Sequence, residues 1–146
     1  DYMWQMTIGK SDEAFLIEEY DENIIITGNS SRAILYGVYK FLEEFIGFRC
    51  FTYDCETYNI LSSLSVPGNY LHIQDFTFEY REVYFRDAFD GDFAAKNMLN
   101  SNLADLSNKH GNKVKWFNFH HSFTFVAITN LRRFSLAISS IFTISR

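Results

Sequence analysis

Apolar positions alternate with polar ones at the start of the chain, where Tyr2, Trp4, Met6 and Ile8 suit a half-buried strand. After a turn at Gly9-Lys10-Ser11-Asp12, the run Ala14–Tyr20 predicts a second strand. A tight Asp21-Glu22-Asn23 connection then leads to a third strand, Asn23–Gly28, so the two read as a hairpin. Ile24-Ile25-Ile26 does not alternate, which predicts a strand covered on both faces. The period then lengthens. Ile34, Leu35, Val38, Phe41, Leu42, Phe45 and Ile46 recur at steps of three and four, predicting one helix whose apolar stripe faces the sheet. Ser30 is its expected N-cap, and Gly47 its left-handed terminator. Gly37 costs a helix interior about 1 kcal/mol relative to Ala, so it is expected to mark a close backbone approach.

Downstream, Phe48–Tyr53 and Asn69–Ile73 are expected strands flanking a loop over 54–68 that holds the single proline, Pro67. The pattern changes near Leu71–Phe76. Glu82–Arg86 predicts a strand ending at Asp87, and Asp90-Gly91-Asp92 opens a helix. Phe93, Ala94, Met98, Leu99, Leu103 and Leu106 supply that helix's stripe, His110-Gly111-Asn112 closes it, and Val114–His120 is the next strand. Strand, helix and strand at this spacing make a βαβ unit with a parallel sheet. The expected fold class is α/β: an α+β domain with a mixed sheet and a packed helix, followed by the start of a barrel. The expected organisation is 1–74, 75–123, and a divergent, disordered tail over 124–146.

Composition changes this picture little. Aromatics make up 18% of the 146 residues, with 16 Phe and 9 Tyr, which fits aromatic-rich packing or a carbohydrate-facing surface. Charge is uneven: all 18 acids lie in 1–105 with seven Lys/Arg, while the last 41 residues hold six Lys/Arg and no acid. Those six are scattered, and an acidic body argues against nucleic acid as a partner. No apolar run reaches the roughly 18 residues needed to span a bilayer, so no membrane partner is expected. No signal-peptide pattern precedes the structured region. Cys50 and Cys55 lack the second pair of a zinc ribbon; one buried and one loop thiol is the first reading, a local disulfide the second.

Candidate chemistry is sparse. Arg81 stands in an aromatic strand start, FTFEYREVYF, and must either pair with Glu79 or Glu82 or meet a ligand. Asp87 follows a strand end, where α/β barrels place active-site groups, with helix capping as the competing role. His120 and His121 point to opposite strand faces, so with His110 they make a poor metal cluster. Ser122 lacks a nucleophile motif. Asp90 and Asp92 could pair for glycosidic chemistry, but read better as solvated loop acids. No G-x-G-x-x-G or G-x-x-x-x-G-K accompanies Gly28, so no nucleotide and no cofactor is expected.

Two segments carry a resemblance. IIITGNSSRAILYGVYKFLEEFIGFRCF, with Thr27-Gly28, Ala33–Val38, Phe41-Leu42-Glu43 and Gly47, resembles the end of the non-catalytic domain of α-glucuronidase-type and β-hexosaminidase-type glycoside hydrolases. FTFEYREVYFRDAF resembles the first strand of their catalytic (β/α)8 barrel, and KVKWFNFHHSF is similar to a second. Cys50 departs from the aromatic usual at its position, and Tyr53 from a proline. The resemblance implies a polysaccharide-degrading enzyme, with xylan or a related glycan as substrate and an extracellular or periplasmic setting. It implies that Arg81, Asp87 and His121 bind substrate, with Arg81 holding sugar hydroxyls. Catalytic carboxylates come from later barrel strands, so this chain is expected to be inactive alone. The alternative is a carbohydrate-binding or interaction module without catalysis.

Overall fold

The computed structural model describes residues 9–115, which fall in one compact unit. The first ladder is the predicted hairpin: β1 (Phe15–Tyr20) and β2 (Asn23–Gly28) pair antiparallel, with Phe15 opposite Gly28 and Tyr20 opposite Asn23. Its two-residue turn holds Asp21 and Glu22 at φ of 51° and 60°, the positive values that let a short connection match strand twist. A short strand, Leu71–Gln74, which we number β5 in chain order, lies antiparallel on the other side of β1, giving the order β2-β1-β5. The strand covered on both faces is therefore β1, where Phe15, Leu16 and Ile17 are all fully buried. The unbroken Ile24-Ile25-Ile26 run lies at a sheet edge and is only partly buried.

Helix α1 (Ser31–Ile46) crosses this sheet. Ser30 caps it, its hydroxyl accepting from Ala33 N–H at 3.2 Å, and Gly47 ends it at φ 71°. Its buried face differs from the predicted stripe. Ala33, Tyr36 and Gly37 are buried, whereas Ile34 and Val38 are 42% and 37% exposed. Leu35 and Phe41 of that stripe do pack against the core, but the fully buried Ala33 and Tyr36 and the buried Gly37 fall outside a count of large apolar residues. At Gly37 the close approach is made by side chains, not by a backbone. A Cβ there would lie 2.6 Å from Ile26 Cγ2 and 3.2 Å from the Phe15 ring. One side of α1 joins the cluster of Phe15, Ile17, Ala33 and Tyr36. Leu35 and Tyr39 pack on a second cluster of Ala94, Ala95, Ala104 and Leu106.

The expected 54–68 loop contains a strand. β3 (Arg49–Thr52) and β4 (Cys55–Thr57) form a separate antiparallel hairpin with an irregular register near Cys50. Cys50 and Cys55 are free thiols.

Beyond Gln74 the predicted regular elements shorten. Residues 81–85 form no ladder, and Arg86–Phe89 is a 3-10 turn rather than the end of a strand. Val83, Tyr84 and Phe85 are exposed, and β-propensity without a neighbouring strand makes no sheet. Helix α2 runs only from Gly91 to Lys96, with Asp90 accepting from Phe93 N–H at 2.8 Å as its N-cap. The spacing of Leu99, Leu103 and Leu106 imitates a helix, but Met98 sits at φ 56° and Asn100 and Ser101 turn their side chains to backbone groups. Such local bonds compete with helix propagation.

The sheets of the described residues are antiparallel and the architecture is α+β; the parallel sheet expected from a βαβ unit does not appear among them. The strands expected over 2–8 and 116–120 lie outside the described residues, as do His120, His121, Ser122 and the 124–146 tail. The boundary expected near residues 71–76 is crossed by close contacts: Ser11 Oγ donates to Asp75 at 2.5 Å, and Phe76 packs on Phe15 and Tyr36.

Candidate functional site

Four segments converge on one buried carboxylate. Glu13 lies in the loop before β1, where Ala14 N–H donates to Ser11 O at 3.0 Å. Arg32 stands in the first turn of α1, which carries no acid, a poor place for a cation against the helix dipole. Glu13 supplies the missing anion, with Arg32 Nε 2.6 Å from its Oε1. Arg81 Nη2 lies 2.6 Å from Oε2 of the same carboxylate, and Asn100 Nδ2 donates to Oε1 at 2.8 Å. Glu13 is only 4% exposed.

Two guanidiniums thus share one carboxylate, and backbone carbonyls take up the excess charge. Arg32 Nη1 donates to Asn112 O at 2.9 Å. Arg81 Nε donates to Met98 O at 2.9 Å and its Nη1 to Phe78 O at 2.8 Å. The Arg81 guanidinium also lies 3.9 Å from the Phe76 ring centre, a favourable cation–π placement. The Arg81 partner is therefore distant in sequence, in the loop before β1. Tyr36 completes the shell: its hydroxyl donates to Leu99 O at 3.1 Å, and burial, reinforced by Glu13, raises its pKa well above the usual phenol value.

An open cleft of 390 Å³ adjoins this cluster, lined among others by Lys10, Asp12, Arg32, Phe76, Phe78 and Glu79. Asp87 does not join it. Half-buried in the 3-10 turn, it accepts from Asp90 N–H through its carbonyl at 3.0 Å, and its carboxylate makes no ion pair among the described residues. His121 lies outside the described residues.

A second cluster has the residue types of a nucleophile triad without its proton arrangement. Asp92 accepts from His110 Nε2 at 2.7 Å and from Lys109 Nζ at 2.8 Å. These two donors, His110 first, hold its carboxyl down at about 2. His110 Nδ1 lies 3.4 Å from Ser107 Oγ, but it already accepts from Ser107 N–H at 3.0 Å. With that lone pair engaged, the imidazole has no free base to activate the hydroxyl; it closes a capping box on a 3-10 turn. Asp90 and Asp92 are thus committed to a helix cap and a histidine, not to each other.

Among the described residues, no group of His, Cys, Asp or Glu is placed to hold a metal ion. No helix among them is long and apolar enough to cross a membrane.

Glu13, Asn100 and the Asp92–His110 pair were not singled out by sequence pattern. A first-turn Arg with no nearby acid was the available signal for Glu13; nothing local marks Asn100.

Fold and cluster together define an α+β domain with a charged structural tie at its centre and an open cleft beside it. No family model, curated protein or solved structure matches the chain.

Proposed function

We propose that the chain is part of a glycoside hydrolase of the α-glucuronidase and β-hexosaminidase type. Residues 1–74 belong to the accessory domain, and residues 75–123 begin its (β/α)8 barrel. The observation that supports this reading is how the motif residues are used. Thr27-Gly28 closes β2, Ala33, Tyr36 and Gly37 form the buried face of α1, and Gly47 ends it. The resemblance thus rests on positions that hold helix to sheet, as a supporting domain requires. Arg81, for which the resemblance implies a hold on sugar hydroxyls, meets Glu13, Met98 O and Phe78 O here, with a contact at each of its three side-chain nitrogens. Sugar hydrolysis belongs to the complete barrel, whose carboxylates come from later strands.

The test compares two products. One is the 146-residue chain; the other adds whatever barrel strands the adjoining coding sequence specifies in any frame. The longer product is expected to hydrolyse an aryl glucuronide or aryl hexosaminide, and the short chain to be inactive. Adjoining sequence that encodes no carboxylate-bearing barrel strands would overturn the proposal. So would hydrolysis by the short chain alone.

A further inference from the structure

We infer that the cleft beside the Glu13 cluster binds a neutral sugar ring, giving this domain a carbohydrate contact of its own. The inference rests on the glycosidase reading for its choice of sugars, but its chemistry comes from the cleft wall. At 390 Å³ the cleft is near the lower end of the size range of small-ligand sites.

Among the described residues its charges are of both signs. Lys10, Asp12 and Glu79 line it beside Arg32 and Glu13, which are paired with each other, and Glu13 is shared with Arg81. Such a wall selects neither a polyanion nor a polycation. Lys10 offers an ammonium donor, and Asp12 and Glu79 offer carboxylate acceptors, as hydroxyl groups require.

The apolar part of the wall is aromatic. Phe76 is anchored between Tyr36 and the Arg81 guanidinium, so its ring is fixed. Phe78 is 72% exposed at the cleft edge, and its backbone carbonyl is held by Arg81. An exposed aromatic on a held backbone is a ready stacking platform, large in contact area and low in ordering cost. A ligand that presents a C–H face to one wall and hydroxyls to the other meets every feature of this cleft.

The experiment uses the full 146-residue chain, labelled with nitrogen-15. It is titrated with neutral xylo-, cello- and chito-oligosaccharides, with glucuronate and spermine as charged comparators. Saturable shifts are expected at the amides of Ser11, Phe78, Glu79 and Val114 for at least one neutral sugar. Phe78→Ala should weaken that binding about tenfold, equivalent to ~1.4 kcal/mol, with the spectrum otherwise intact. Phe51→Ala, at an exposed position outside the cleft wall, should leave it unchanged. Absence of saturable shifts, indifference to Phe78→Ala, or tighter binding of glucuronate or spermine would overturn the inference. Hydrolysis by the longer product without sugar binding here would sink this inference and leave the glycosidase reading standing. Sugar binding here without hydrolysis would do the reverse.

Discussion

Replacing Glu13 with alanine removes the anion that, among the described residues, Arg32 and Arg81 share. Both guanidinium side chains are largely buried, at 12% and 17% exposure, so two cations would be left without their counter-charge. Stranding one partner of a buried ion pair costs about 3–5 kcal/mol. The carbonyls of Asn112, Met98 and Phe78 still accept from these arginines, which places Glu13→Ala toward the lower end, about 3 kcal/mol. Against a total stability on the order of 5–15 kcal/mol, that is a severe loss. Urea unfolding followed by far-ultraviolet circular dichroism measures it. With a slope of roughly 1.5 kcal/mol per molar urea, the midpoint should fall by about 2 M. Arg81→Met should cost distinctly less, because it leaves Glu13 and Arg32 as a matched pair. The rank order is the sharper criterion. If Glu13→Ala shifted the midpoint by no more than about 0.3 M, or if Arg81→Met cost as much, the carboxylate would not be the centre of the cluster.

Two further outcomes follow from the packing and the second cluster. Gly37→Ala gains about 1 kcal/mol of helix propensity, yet its Cβ would press on Ile26 at 2.6 Å and Phe15 at 3.2 Å. Overpacking of about 1–3 kcal/mol should win, and a raised melting temperature would contradict the tight contact described. The Asp92 carboxyl is held at about 2, below its ordinary 3.8. A depressed acid stabilises the fold fully above its unfolded value and loses that contribution as pH falls through the folded one. The difference between wild type and Asp92→Asn in urea midpoint should therefore be present at about pH 5 and shrink between about pH 4 and 2; a difference independent of pH over that range would refute the charge pairing. Because Asp92 is half exposed, the effect should be small.

Local chemistry was legible where one residue dictates it. Ser30, Gly47 and the β1–β2 hairpin follow from capping and turn rules that need no distant partner. The α1 face was legible in part: Leu35 and Phe41 of the expected stripe pack on the core, but Ala33 and Gly37 carry little hydrophobic weight, although close packing depends on their smallness. The strand at Glu82–Arg86 and the long helix after Phe93 failed for a related reason: periodicity registers apolar spacing but not the Asn100 and Ser101 side chains that take up backbone groups. An arginine within an aromatic stretch calls for a partner or a ligand, but the neighbouring acids Glu79 and Glu82 give no hint of Glu13. The true one, Glu13, lies in the loop before β1, and no local pattern encodes a meeting of that length.

That separation also gives the cluster an order of assembly on the ribosome. Arg32 emerges soon after Glu13, so a short nascent chain can form a matched, neutral pair at the head of α1. Arg81 and Asn100 arrive much later, Asn100 being 87 positions beyond Glu13. At about 5–20 residues per second, Arg81 follows Arg32 by seconds, and until then the partner that takes Oε2 is missing. The second arginine then converts a neutral pair into a cationic site at the moment the later segments dock. Glu13 thus registers that the downstream chain has arrived.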